Sequence, residues 1–444
     1  MGTSGNSRRE FMKTMAFGIA GLGMARGVRA GRYGKIQGSG DRIRLGVMGT
    51  HSRGHALATG FAKLEDADIV YICDVDERAR EKTAAAVNDI QSGTVRQVED
   101  FREILDDGSV DALAVATPDH WHAPAAIAGI QAGKHIYVEK PCGHNPREGE
   151  LLLQAARDHG RVVQMGNQRR SWPFVQEAIS RLREGVIGRV YYSRGWYANS
   201  RGSIGHGNHT PVPGWLNYDL WQGPAPRVPY RDNVIHYNWH WFWRWGTGES
   251  GNNGTHAIDL CRWGLEVNYP VKVTSGGGRY RFQDDWETPD TQVITAEFED
   301  GKSMTWEGLS CNPSGLLGTG FGASFHGDDG ALILLDSGYK IYDLKNKVVE
   351  EVSSHGANVD LTGSGFNRDA VHFADFLQAV RNGTHPNSDI EGGHKSVLLV
   401  HLGNIAQRTG NELHCDPRNG HILDNEEAAR FWARDYEPGW APTV

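Results

Sequence analysis

Cysteine is scarce in this 444-residue chain and never paired at short range. Cys73, Cys142, Cys261, Cys311 and Cys415 are an odd five, with no CxxC and no Cys/His spacing. That excludes a disulfide-stapled scaffold and supplies no zinc signature, so no metal is expected. An excess of positive charge is also lacking: 46 Lys and Arg against 54 Asp and Glu give a net charge of -8. The chain therefore carries no electrostatic footprint for nucleic acid, and none is expected as a partner. Long hydrophobic runs are missing too. The stretch from Met15 to Ala25 is short and Gly-rich, so no membrane span and no stable membrane anchor is expected. There is no internal repeat and no low-complexity tract.

The N-terminus reads as an address rather than a fold. Ser7-Arg8-Arg9-Glu10-Phe11-Met12-Lys13 matches the twin-arginine export pattern, and Val28-Arg29-Ala30 offers small residues at a cleavage site. The alternative is an ordinary amphipathic N-terminus. The export reading places a signal peptide over residues 1–30 and a Gly-rich linker over 31–42. It implies a periplasmic or otherwise exported protein that folds first and can carry a cofactor acquired in the cytoplasm.

From Ile43 short apolar runs alternate with Ala-rich helical stretches. Strands are expected at Ile43–Gly49, Asp68–Asp74, Asp111–Thr117 and Lys134–Glu139, and helices from about Gly54, over Glu77–Asp89 and over Pro124–Ala132. This alternation predicts a parallel, doubly wound sheet over 43–165. Beyond it come a helix at Pro173–Glu184, a strand at Arg189–Tyr197 and a loop-rich segment over Ala198–Asn238. A helix from near Asn252 to Leu265 and several strands between Val271 and Leu335 follow. Together with late helices they predict a second α/β domain over 166–410, built on an antiparallel or mixed sheet. The segment 411–444 reads as an extended tail.

Gly49-Thr50-His51-Ser52-Arg53-Gly54 occupies the strand-to-helix turn where a GxGxxG fingerprint belongs. His51 replaces the second glycine, the one that lets a pyrophosphate approach the backbone closely. Gly49 keeps the tight turn, Gly54 keeps close helix–strand packing, and the helix N-terminus keeps free N–H groups for phosphate. Asp74 ends the second strand, where a carboxylate accepts hydrogen bonds from ribose hydroxyls and repels a 2′-phosphate. The expected cofactor is therefore NAD rather than NADP.

Three further segments carry a family likeness: Ala116-Thr117-Pro118-Asp119-His120-Trp121-His122, Glu139-Lys140-Pro141, and Gly246 to Asp259 with its Asn252-Asn253-Gly254-Thr255-His256 core. On these the chain resembles the Gfo/Idh/MocA family of oxidoreductases from about Ile43 to Arg408. The resemblance implies a Rossmann domain followed by a domain with an open, largely antiparallel sheet, substrate bound between sheet and nicotinamide, and a homodimer or homotetramer. It also implies that Thr117, Pro118 and His122 line the cofactor and that Glu139 and Lys140 sit at the reacting centre. Asn167, Gln168 and Arg169 are expected to reach the cleft on the same ground. The chain departs from inositol 2-dehydrogenase-like members in one place, since Asn252 stands where they carry Asp.

The chemistry can be argued from the residues themselves. Alcohol oxidation removes a hydride from carbon and a proton from its hydroxyl. His256 suits the proton, Lys140 suits the developing alkoxide, and Asn252, one helical turn before His256, can bond a hydroxyl but not act as a base. His256 with Lys140 would then have to carry the proton transfer, or Asp259 would have to assist. The aromatic run Asn238 to Trp245 offers His240 and Trp241 to a sugar, although alternation along an extended segment sends some rings into the core. His206 and His209, on a Gly-rich loop without carboxylates, suit a substrate or oligomer contact better than a metal. Three functions remain open: an exported NAD-dependent oxidoreductase of carbohydrate or polyol hydroxyls; a glycosidase that oxidises and eliminates transiently on NAD; and a degenerate, non-catalytic sugar-binding protein. In the glycosidase reading His206, His209 and Tyr237 are candidate acids.

Overall fold

Six short strands, β1 (Ile43–Met48), β2 (Ala67–Cys73), β3 (Arg96–Val98), β4 (Ala112–Val115), β5 (His135–Val138) and β6 (Val163–Met165), form an all-parallel sheet in the order β3-β2-β1-β4-β5-β6. The structure, a computed structural model, describes residues 42–354 and 368–444. The segment read as an export signal and almost all of the segment read as a linker lie outside the described residues. β1, β4 and β5 are buried nearly throughout, as continuous apolar runs in a two-sided parallel sheet must be. The crossovers are helices: α1 (Arg53–Ala62), α2 (Glu77–Ile90), α3 (Asp119–Gln131) and α4 (Pro146–His159).

Two of these helices differ from the sequence reading. α3 starts at Asp119 and keeps Pro124 inside it. A proline there removes one N–H and leaves the carbonyl four residues earlier unpaired; that carbonyl, of His120, accepts a bond from Arg434 Nη2 at 2.6 Å. α4 was not anticipated, although its signals are in the sequence. The Asn145 side chain caps it, Pro146 opens it, and Gly160 closes it in the left-handed region.

The second sheet has 11 strands, with an edge-to-edge path β15-β14-β13-β12-β7-β10-β9-β8-β16-β17 and β11 beside β7. Its members are β7 (Val190–Ser200), β8 (Lys272–Gly278), β9 (Thr291–Glu297), β10 (Ser303–Leu309), β11 (Cys311–Asn312), β12 (Phe321–Gly327), β13 (Gly330–Leu335), β14 (Gly338–Asp343), β15 (Val348–Ser353), β16 (Leu413–Cys415) and β17 (Ile422–Leu423). Only the β7–β10 pairing is parallel. The fold is therefore α/β, a doubly wound parallel sheet followed by a mixed, largely antiparallel one. β14, β15, β16 and β17 extend it beyond the strands read from sequence. The segment after Asn411 is no extended tail. It adds β16 to β8, sets Trp440 edge-on to Trp121 at 5.1 Å, and buries Arg434 against Glu148.

Later helices are α5 (Pro173–Arg183), α6 (Thr255–Leu265), α7 (Arg368–Asn382) and α8 (Ile390–Thr409). α6 lies so close on β7 that a Cβ at Gly195 would come within 2.9 Å of Ala257 Cβ. α7 returns to the first sheet, where Phe373, Phe376 and Val380 join Phe61 and Tyr137 in one buried cluster. The loop-rich segment after β7 has its own small core, with Leu216, Tyr218, Trp221, Phe242 and Trp245 buried together. That core, with one short helix at Tyr218–Gln222, fixes the segment and holds it over the C-terminal ends of the parallel strands.

Candidate active site

A cleft of about 390 Å³ opens at those strand ends, where ligands of doubly wound sheets bind. Gly49, with φ of 81°, makes the tight turn after β1, and a Cβ there would meet Thr117 N at 2.7 Å. A Cβ at Gly54 would fall 1.8 Å from Gly49 O, so both glycines are required sterically. Ser52 starts α1 without a side-chain cap bond, leaving the first N–H groups available to an anion. These features fit a dinucleotide.

Asp74 lines the cleft, as expected, and does a second job. Its carboxylate accepts from Thr50 N, from Thr50 Oγ1 at 3.2 Å and from Asp76 N at 2.8 Å. A carboxylate has about four acceptor positions, so Asp74 ties down the fingerprint loop and keeps a remaining position for a ribose. Burial pushes its pKa up, against the pull of these N–H groups. His51 also lines the cleft, with its ring stacked on His236 at 3.7 Å. Arg53 is turned toward the cleft interior, where Nε meets Glu139 Oε1 at 2.7 Å and Nη1 meets Asp369. It orients Glu139 rather than presenting its charge at the helix N-terminus.

Thr117, Pro118, His122, Glu139 and Lys140 all line the cleft. The His122 ring nitrogens lie 2.7 and 2.6 Å from the carbonyl oxygens of Thr117 and Pro141, bridging two loops. Burial alone would raise the Glu139 carboxyl, but Arg53 and Lys140 hold it below its ordinary range. Lys140 Nζ donates to Asn252 O at 2.7 Å and to Asn252 Oδ1 at 3.2 Å. Burial pulls the Lys140 pKa down while Glu139 and Asp119 oppose it.

Asn252 belongs to a π-turn, Ser250–Gly254, that precedes α6, a feature that recurs at functional sites. Asn252 faces the cleft from this turn and His256 from the first turn of α6. Burial holds the His256 imidazole well below its usual pKa, and Arg169 and Lys140 add to the effect. Its Nδ1 has no hydrogen-bond partner among the described residues. The resting ring is neutral at neutral pH. Asn252 Nδ2 donates to Glu249 Oε1 at 3.3 Å, and Glu249 is paired with Arg201 at 2.6 Å. The carboxylate missing at position 252 is thus found one layer behind, already neutralised.

Several expected site residues are elsewhere. Trp241 is 1% exposed and stacks on Trp286 at 4.0 Å; it is core. Asn238–Trp241 is a 3-10 turn, so alternation along a strand does not apply; the expected His240 lines the cleft, and Trp239 does so in place of Trp241. Arg169 pairs with Asp336 at 2.9 Å and lies 3.8 Å over Phe321, while Gln168 turns into the cleft. Asn167 is 1% exposed and outside the cleft lining, with both amide atoms unpartnered. Asp259 does not reach His256's side of the cleft; Arg170 and Ser396 hold it. His206 bonds Asp285 at 2.9 Å, and His209 Nδ1 is 3.3 Å from Tyr230 O, both away from the cleft. Sequence reading missed Asp119 as a cleft residue, although it sits inside a quoted motif. It is buried, accepts from Thr247 Oγ1 at 2.6 Å, and its pKa is raised by burial. His236 and Trp221 carried no local signal. Among the described residues no cluster of three or more His, Cys, Asp or Glu is arranged to hold a metal ion.

Fold and cleft together define a two-sheet α/β protein with a site for a dinucleotide at the parallel strand ends. Residues 43–167 match the model of the oxidoreductase family, NAD-binding Rossmann fold, and residues 195–315 and 323–441 match its C-terminal alpha/beta domain. The chain belongs to the Gfo/Idh/MocA family of oxidoreductases, and its first domain is an NAD-binding Rossmann domain. Among relatives, a glycosyl hydrolase family 109 protein of Saccharopolyspora erythraea is 29% identical over 209 residues, 43% of this chain and 45% of that protein. A levoglucosan dehydrogenase of Pseudarthrobacter phenanthrenivorans is 37% identical over 105 residues, 24% of this chain and 27% of that one. The chain therefore spans less than half the length of either relative. A structure of levoglucosan dehydrogenase in complex with NADH and levoglucosan shares the fold, with a TM-score of 0.65 at 18% identity over 84% of this chain and 99% of that one.

Proposed function

We propose that the protein is a dehydrogenase of sugar or polyol hydroxyls. The observation that carries this is the convergence of Lys140, Asn252 and neutral His256 on one cleft with Tyr237, Trp239 and His240. Bound NAD supplies the hydride acceptor or donor. Lys140 keeps one N–H free after its two bonds to Asn252 and directs it, with its charge, at the substrate oxygen. His256 takes the hydroxyl proton, and the stacked pair Trp239 and His240, with ring centroids 3.5 Å apart at the cleft, receives the C–H face of a sugar ring. The similarity to levoglucosan dehydrogenases supports a sugar as substrate. The twin-arginine motif supports export of the folded protein with NAD retained. The second sheet's face away from α6, which carries Tyr192, His326 and Ile333 partly exposed, supports a homodimer or homotetramer.

The glycosyl hydrolase family 109 relative favours a second reading, hydrolysis by transient oxidation and elimination. One experiment separates the two. Nucleotide released by denaturation is identified by mass spectrometry, and the protein is then assayed with free sugars plus NAD and with nitrophenyl glycosides without added NAD. Net NADH formation from sugars supports the dehydrogenase; nitrophenol release without net NADH supports the glycosidase. Neither, from a protein that holds no nucleotide, leaves a non-catalytic sugar-binding protein.

Replacing Asp74 with serine is expected to weaken NAD binding about tenfold and to narrow the preference over NADP. Isothermal titration with both nucleotides checks this, and unchanged selectivity would remove Asp74 from cofactor choice.

A further inference from the structure

The segment following β7 does more than roof the cleft. It is stitched to the residues immediately after Asp74, since Glu77 N donates to Trp215 O at 3.0 Å and Asn217 N donates to Val75 O at 3.0 Å. Its far end returns to the fingerprint loop, where the His236 ring lies flat on His51, with centroids 3.7 Å apart and planes 11° apart. His236 is fixed in turn: its Nε2 lies 2.7 Å from Oδ2 of Asp76, a residue 1% exposed. Its ring lies parallel to Trp215 at 6.1 Å, and the Arg78 guanidinium covers Trp215 at 3.4 Å. Four planar groups thus run in a file from the fingerprint loop, through the strap, to the start of α2. His51 is the residue that stands where the fingerprint has its second glycine. A glycine there could make no such stack.

We propose that His51 and His236 form a latch that holds the dinucleotide beneath the strap and sets how slowly it leaves. The inference rests on the reading of a retained NAD cofactor. A nucleotide with its pyrophosphate at Gly49–Gly54 and its ribose at Asp74 is covered by the strap, and its escape requires the stacked rings to part. Losing a stacked ring pair corresponds to a change in dissociation rate of about two- to tenfold.

The test is a chase. Full-length protein loaded with NADH is mixed with excess NAD+, and the loss of bound NADH fluorescence gives the dissociation rate. His51→Gly, which restores the fingerprint residue, and His236→Ala are each expected to speed release by about two- to tenfold. The double variant is expected to be no faster than either single, because both remove one contact. Single variants that bind NADH stoichiometrically and release it at the wild-type rate overturn the latch. Wild-type protein that binds no NADH overturns the cofactor reading and the latch with it.

Discussion

Lys140→Ala is expected to lower kcat by about a thousandfold while leaving NAD binding unchanged. Lys140 is held in place by two bonds to Asn252, at 2.7 and 3.2 Å, and neither partner belongs to the fingerprint loop. An ammonium group has three N–H donors, so one is left for the substrate oxygen. That oxygen becomes negative only as the hydroxyl proton departs, so the interaction strengthens toward the transition state. Removing a donor of this type costs about 100- to 1000-fold in kcat, and here a full charge in a buried site goes with it. The loss should fall on kcat and kcat/KM alike, the signature of an interaction made in the transition state. Lys140→Arg should not rescue, because the planar guanidinium cannot keep both bonds to Asn252 and a third to substrate. Steady-state kinetics on the best sugar, with NAD titration alongside, checks both halves. A kcat within tenfold of wild type would remove Lys140 from the proton-transfer step.

How far the site could be read from sequence depended on how local its signals were. β1, β4 and β5 are legible because strands buried on both faces are dominated by apolar residues, with Arg44 the one exposed exception. Gly49, Gly54 and Asp74 are legible because their spacing along one β-α-β unit is set by backbone geometry. Lys140 and His256, by contrast, were singled out through a family likeness, and the structure then brings both to the same cleft. What was hidden are relations between distant segments. Nothing near Phe373 says that α7 will cover the first sheet, nothing near His51 announces His236, and the Asp74 carboxylate's engagement by Thr50 depends on how the loop closes. Trp241 and Arg169 show a different failure. Each has the chemistry of a ligand residue, but each lies in a 3-10 turn that sends it away from the cleft; the expected His240 and Gln168 do line it, and Trp239 joins them unannounced.

Asp259 separates a structural carboxylate from a catalytic one, and its replacement is expected to unfold rather than to slow the enzyme. The sequence alone leaves it as a possible aid to His256, three residues away on the same helix. In the fold its side chain is 3% exposed and faces Arg170, with two bonds at 2.8 and 2.7 Å, while Ser396 Oγ donates at 2.6 Å. Burial would raise its pKa, but Arg170 pulls it below the ordinary carboxylate range. The bridge links the turn after β6 to α6 and α8, the elements that carry Gln168 and His256. Asp259→Ala leaves the Arg170 guanidinium, itself 11% exposed, without its partner, and breaking a buried pair in this way costs about 3–5 kcal/mol. The denaturant midpoint should fall accordingly, while kcat per folded molecule stays close to wild type. The pH dependence carries a fixed sign. A carboxyl whose folded pKa lies below its unfolded one stabilises the fold fully above the unfolded value, and that stabilisation is lost as the pH falls through the folded value. Wild type should therefore lose part of its advantage over Asp259→Ala only on acidification below the ordinary carboxylate range. Denaturation curves at neutral and acid pH measure both effects. A variant as stable as wild type but slow in turnover would return Asp259 to the chemistry.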